Sequence, residues 1–186
     1  MTHIIGIAGS LRRQSFNLGL LRAAEALMPP GATLDARTLH GIPLYNADEE
    51  EEAGLPDAVT ALKEAVATAD GVLLVTPEYN NGIPGVFKNA IDWLSRPATD
   101  IGRIFGNRPM AVIGASPGNF GTLLAQNDWL PVLRTLGARP WFGGRLMASR
   151  AQSLFDGEGQ LTDAATRDRL GAFMAGFVGF IDEAKR

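Results

Sequence analysis

Cysteine is absent from this sequence. That one absence removes disulfides, CxxC redox pairs, thiolate metal sites and a cysteine nucleophile together. Histidine is scarce. His3 and His40 are the only two, too few for a zinc site built from histidines. No apolar run approaches the roughly 20 residues of a membrane-spanning helix, and the N-terminus lacks a charged-then-apolar leader pattern. A soluble, cytoplasmic protein is the expectation. Positive charge is not in surplus either. With a formal net charge of −3, neither nucleic acid nor a membrane is an expected partner. If this chain does redox chemistry, something other than cysteine must carry the electrons.

What is present reads as one ordinary globular domain spanning 1–186. The chain is 46% hydrophobic and 20% charged, with length enough to bury a core. Val, Ile and Leu runs alternate with helical patterns. His3–Ala8 reads as a strand and Asn17–Met28 as a helix, closed by Pro29-Pro30-Gly31. Thr33–Thr38 reads as a short second strand. The "DEEEE" run, Asp48–Glu52, reads as a solvated loop, because consecutive like charges point in different directions. Pro56 opens a second helix with Val59, Leu62, Val66 and Ala69 at helical spacing. Gly71–Thr76 is continuously apolar, as a strand buried on both faces is. "PGVFKNAIDWLS" forms the third helix and Pro109–Ala115 the fourth strand. Leu123–Leu136 is a helical stretch that Pro131 must kink or restart. "ARPWF" is a weak fifth strand. In the last helix Leu170, Phe173, Met174, Phe177, Val178 and Ile181 follow the helical repeat.

This alternation predicts an α/β fold, a five-stranded parallel sheet with helices on both faces. Five strands in a chain of this length favour the flavodoxin-like order 2-1-3-4-5, a three-layer sandwich. Ligands in such sheets sit beyond the carboxyl ends of the strands. Three unusual loops fall there: Gly9–Asn17, Pro77–Gly82 and Ser116–Gly121. They are far apart in sequence and converge in such a fold.

The first loop, "GSLRRQSFN", leads into a helix N-terminus, where free N–H groups and the dipole favour an anion. Gly9 permits close backbone approach. Ser10, Ser15 and Asn17 add short donors, and Arg12 adds charge, a set suited to a terminal phosphate. The plainer reading is that Ser15 or Asn17 simply caps the helix. It is neither a P-loop nor a GxGxxG fingerprint. The loops "TPEYNNGIPG" and "ASPGNFGT" carry turn residues and exposed donors. Taken together, the three suit a planar, hydrogen-bonding ring joined to a phosphate, and FMN fits that description.

"GSLRRQSFN", "PEYNNGIPGVFKNAIDWLSRP" and "GASPGNFG" resemble the NAD(P)H-dependent FMN reductase family, the flavodoxin-like quinone, azo-dye and chromate reductases. The resemblance implies that Ser10, Arg12, Ser15 and Asn17 hold the FMN phosphate. It implies that Pro77, Glu78, Tyr79, Asn80 and Gly82 line the ring, and that Ser116, Gly118 and Asn119 close its other side. Glu78 itself is expected to be hydrogen-bonded or, the more common case, solvated, and not catalytic. The implied reaction passes a hydride from NADPH or NADH to FMN. Two electrons then pass to a quinone, azo compound, free flavin or metal oxyanion. The flavin carries that chemistry, so no side chain need be an acid or base. Backbone N–H groups of 116–119 are expected to stabilise the charge that reduction leaves on the ring.

The resemblance further implies a homodimer or homotetramer with Pro84–Leu94 at the interface; Phe87 and Trp93 are candidate anchors there, though two aromatics on a helix are more often plain core. The sequence departs from many relatives in one respect. The first arginine after the third loop is Arg134, well along the following helix. No 2′-phosphate site is legible, so NADH and NADPH both stand as donors. The alternative readings are a flavodoxin-type electron carrier and a non-catalytic FMN-binding protein.

Overall fold

The computed structural model describes residues 1–185. Among these, strands β1 (Thr2–Ala8), β2 (Ala32–Arg37), β3 (Gly71–Val75), β4 (Pro109–Ala115), β5 (Arg139–Pro140) and β6 (Met147–Ala148) form one parallel sheet. The helices are α1 (Phe16–Ala26), α2 (Ala47–Ala53), α3 (Asp57–Thr68), α4 (Gly85–Leu94), α5 (Ile101–Ile104), α6 (Leu123–Thr135) and α7 (Ala164–Ala184). The order β2-β1-β3-β4-β5 is the expected one, with β6 also pairing with β4. It reverses direction across β1 and β3, and crevices for ligands open at such a reversal.

The sheet has six strands among the described residues rather than five. The predicted fifth strand is divided in two. Arg139 and Pro140 pair with Pro109 and Met110, then the chain leaves the sheet and returns at Met147–Ala148 to pair with Gly114 and Ala115. The interruption follows from Pro140, which cannot donate to a ladder, and from Trp141. The Trp141 indole packs edge-on against Phe173 of α7, with ring centroids 4.8 Å apart. Gly143 crosses it so closely that a Cβ there would lie 2.5 Å from the indole nitrogen.

Side chains alternate between the two faces of the sheet, as the period of two requires. Ile4, Ala8, Leu73, Val75, Ala111 and Ile113 face α1 and α7. Ile5, Ile7, Val72, Leu74 and Met110 face α3, α4 and α6. All six stripe residues of α7 are buried, as their spacing predicts. Burying each large apolar side chain is worth about 1.5–3 kcal/mol, so this stripe alone anchors the helix. No helix among the described residues is long and apolar enough to cross a membrane.

Three further expectations are corrected. The acidic run is helical: Asn46 caps α2 by accepting from the Asp48 N–H, and the helix is exposed except at Glu50. Glu50 pairs with Arg96 at 2.8 Å and accepts from the Tyr45 hydroxyl at 3.0 Å, so the run is docked rather than merely solvated. Next, α6 runs through Pro131 without a restart. Pro131 lies on the exposed side, where the freed Asn127 carbonyl meets water, and buried Trp129 and Leu133 hold the helix down. Finally, Phe87 and Trp93 are core residues at 0% and 1% exposure, so neither is a surface anchor for an interface. Phe87 stacks edge-on with Trp129, and the Trp93 indole donates to the Pro43 carbonyl at 2.9 Å.

Candidate active site

The three loops converge at the carboxyl ends of β1, β3 and β4. Gly9 donates to the Val75 carbonyl at 2.9 Å, and Thr76 donates to that of Ile113 at 2.8 Å. These bonds extend the sheet past its formal ends and fix where each loop departs. Gly9 has no alternative side chain. A Cβ there would lie 2.1 Å from Phe87 and 2.9 Å from Pro77, so the first loop can pass under the second only as glycine.

Ser10 and Ser15 are buried hinges at 5% and 4% exposure, and Leu11 to Gln14 between them are exposed. The Ser10 hydroxyl accepts from the Arg12 N–H at 3.2 Å. The Ser15 hydroxyl caps α1 by accepting from Asn17 and Leu18. Each hydroxyl keeps its own proton for donation. The N–H groups of Leu11, Arg13, Gln14 and Ser15 have no partner among the described residues. The loop contains no acidic residue, and Arg12, Arg13 and Gln14 line an open depression. The Arg12 guanidinium lies 5.1 Å from the Phe16 ring centre, a cation–π contact that orders it. Free N–H groups, two hydroxyls and a cation at a helix N-terminus are the donors a phosphate dianion needs.

Asn17 differs from its neighbours. It is 3% exposed, and both ends of its amide are spent on Ala115, Nδ2 to the carbonyl at 2.8 Å and Oδ1 from the N–H at 2.9 Å. Its side chain ties α1 to the end of β4 rather than facing the depression.

The second loop is a tight hairpin. Tyr79 and Gly82 exchange backbone bonds of 3.1 and 3.0 Å around Asn80 and Asn81, whose φ values are 50° and 63°. A two-residue turn of this kind needs positive φ at both central positions, which asparagine tolerates better than most residues. Tyr79 is 50% exposed at the tip. Glu78 is a helix cap: its Oε2 accepts from Leu124 at 2.8 Å and Ala125 at 3.0 Å, the unsatisfied first turn of α6.

The third loop is clasped from its far side. Ser116 is fully used: its N–H donates to Ala148, its carbonyl accepts from Ala151, and its hydroxyl donates to the Gly121 carbonyl. The Gly118 carbonyl accepts from the Arg150 N–H at 3.0 Å, and the Arg150 Nε donates to Asn119 Oδ1 at 3.1 Å. Gly118, Asn119 and Phe120 are exposed residues whose N–H groups have no partner among the described residues. They are the donors this loop offers to a ligand.

Ser10, Arg12, Ser15, Pro77, Glu78, Tyr79, Asn80, Gly82, Ser116, Gly118 and Asn119 therefore gather at one end of the sheet. Sequence reasoning missed the side-chain duties of Asn17 and Glu78, whose partners lie 98 and 46–47 residues away. It also missed two flanking residues. Arg150 clasps the third loop. His40, just past β2, has its Nε2 3.2 Å from the Leu11 carbonyl of the first loop, where it can only be the donor. No local pattern marks any of these four.

The order of strands defines a flavodoxin-like α/β protein, and the candidate site gathers beyond the carboxyl ends of its central strands. Residues 2–153 match the family described as NADPH-dependent FMN reductase, and the chain belongs to that family. It is 42% identical over 167 residues to an NAD(P)H-dependent FMN reductase of Pseudomonas aeruginosa, covering 90% of this chain and 88% of the relative. It is 35% identical over 184 residues to a quinone reductase of Escherichia coli K12, covering 98% and 96%. Among solved structures it is similar to FerB, a flavoenzyme NAD(P)H:(acceptor) oxidoreductase from Paracoccus denitrificans, with a TM-score of 0.84, 33% identity and 98% of each chain covered. The family implies FMN as cofactor and NAD(P)H as donor. The residues present fit that cofactor, with anion donors at the first loop and backbone donors for ring carbonyls at the third.

Proposed function

We propose that this protein is an FMN-dependent NAD(P)H oxidoreductase whose acceptor is a quinone. The observation that carries this reading is the pairing of two donor sets across the switch point. The acid-free first loop offers serines, Arg12 and free N–H groups. The N–H groups of the exposed residues Gly118, Asn119 and Phe120 lie opposite, beyond β4.

When bound, FMN supplies the two-electron hydride chemistry. The chain's residues bind and orient it. Ser10, Ser15, Arg12 and the loop N–H groups hold the phosphate. Asn17 serves that loop by fixing α1 to β4 rather than by touching the phosphate. Pro77, Glu78, Tyr79, Asn80 and Gly82 flank the ring, with Glu78 also tying the second loop to the start of α6. The N–H groups of 118–120 stabilise negative charge on the ring, as fixed dipoles do without reorganising. Ser116 shapes that loop. No side chain acts as an acid or base. The whole site sits in one domain.

The reading extends to a cytoplasmic homodimer or homotetramer. Support for assembly comes from α6, where Leu123, Leu124 and Leu130 are 38–43% exposed, and from Phe142 at 70%. The test is anaerobic addition of NADPH, then NADH, to the FMN-loaded protein, followed by a benzoquinone. Rapid bleaching of the flavin band and its return with quinone are expected. Flavin that binds and stays oxidised would sink the oxidoreductase reading in favour of a carrier or a non-catalytic binder.

A further inference from the structure

We propose that Arg150 is a donor-binding residue that pairs with a phosphate of the pyridine dinucleotide; this rests on the oxidoreductase reading above. Arg150 stands two residues past β6, which ends level with β4 at Ala115. Its backbone is left-handed, φ 51° and ψ 44°, a conformation uncommon for a residue with a side chain. The neighbouring bonds impose it: the Arg150 N–H is held by Gly118 and the Ala151 N–H by Ser116. The side chain is then aimed by one further bond, Nε to Asn119 Oδ1. Both terminal nitrogens of the guanidinium have no partner among the described residues, and the residue is exposed. A planar fork with its stem anchored and its tips free is preorganised for a phosphate.

The flavin phosphate is not its ligand. FMN has one phosphate, and the first loop beyond β1 has the donors for it. From β1 to β6 the sheet crosses three strand spacings, about 14 Å in all. The stretch 109–133, which includes β4 and the whole third loop, contains no lysine or arginine, so that loop supplies no cation of its own and Arg150 brings one to it through Asn119. Phe120, beside Asn119, is 78% exposed and offers a ring face on the same rim. A cation with free N–H groups beside an exposed aromatic is the chemistry that recognises a nucleotide: a phosphate to pair and a base to stack. The pyrophosphate and a 2′-phosphate share that chemistry.

FMN-loaded wild type, Arg150→Gly and Arg150→Lys are titrated calorimetrically with NADP+ and with NAD+, and FMN affinity is measured for each apoprotein. Glycine suits the left-handed backbone, so Arg150→Gly removes the guanidinium without straining the turn. The expected result is an affinity loss of about tenfold or more for Arg150→Gly. Arg150→Lys should recover part of it, and FMN affinity should fall by much less than nucleotide affinity in both, because the backbone bond from the Arg150 N–H to Gly118 survives each change. Loss for both nucleotides assigns the pyrophosphate to Arg150; loss for NADP+ alone assigns the 2′-phosphate. Unchanged nucleotide affinity overturns the proposal, as does a matching loss of FMN affinity, which would move Arg150 into the flavin site. Failure of the underlying reading shows separately, as flavin that neither reduced nucleotide bleaches.

Discussion

Asn17 and Ala115 exchange two hydrogen bonds, so a side-chain amide on α1 pairs with the last residue of β4 as a neighbouring strand would. The tie is buried, and it sets the first and third loops of the site in one frame. Replacing Asn17 by Ala would strand the Ala115 N–H and carbonyl without water. Each lost partner costs about 1–3 kcal/mol. The expected loss of stability is about 2–4 kcal/mol, read by urea unfolding, with weaker FMN binding following from the looser frame. Unchanged stability would show that the bonds are replaceable.

Arg12 carries the positive charge of the first loop, ordered over Phe16. Arg12→Ala is expected to weaken FMN binding by about 1.5–3 kcal/mol, the worth of a charge-assisted hydrogen bond. Fluorescence titration of the apoprotein measures it. The fold should be untouched, because Arg12 is exposed and its backbone bond to Ser10 survives. Unaltered FMN affinity would remove Arg12 from the phosphate site.

Glu78 joins the second loop to α6 through two N–H groups. Side-chain caps are worth about 0.5–2 kcal/mol. Glu78→Ala should lower stability by that amount and speed FMN release in stopped-flow exchange, because the ring-lining second loop loses its tie to α6. Glu78→Gln keeps an acceptor oxygen and should lie between Ala and wild type. Equal behaviour of Ala and wild type would make the cap incidental.

Acid should undock α2. The hydrogen bond from Arg96 holds the Glu50 carboxyl below its ordinary value, and the Tyr45 hydroxyl bond acts the same way. A carboxyl lowered in the folded state adds stability above its unfolded value and loses it as pH falls through the folded one. Tyr45 packs edge-on to Trp93 with centroids 4.9 Å apart, so tryptophan fluorescence reports the docking. A change below about pH 4 is expected in wild type. In Glu50→Gln that acid-dependent step should vanish. Its persistence would assign the step to another group.

Much of the fold was legible in the chain. Continuous apolar runs at Gly71–Val75 and Pro109–Ala115 marked buried parallel strands, and the α7 stripe marked its buried face. The split edge was hidden because Pro140 and Trp141 act through a partner, Phe173, on another element. The α2 helix was hidden because its stabilising contacts, Arg96 and Tyr45, lie outside the acidic run.

The site divides along the same line. Sequence by itself determined which residue types stand at the strand ends: the serines and arginine of the first loop, the asparagine turn and the glycine-rich third loop. Those are local properties, set by backbone freedom and by donors a few residues apart. Tertiary structure alone decided what each side chain does there. It turned Asn17 inward to Ala115, gave Glu78 to α6, spent Ser116 on its own loop and brought Arg150 beside Asn119. The physical reason is that a buried or aimed polar group takes the partner that three-dimensional packing places within about 3 Å. Here those partners lie up to 98 residues along the chain.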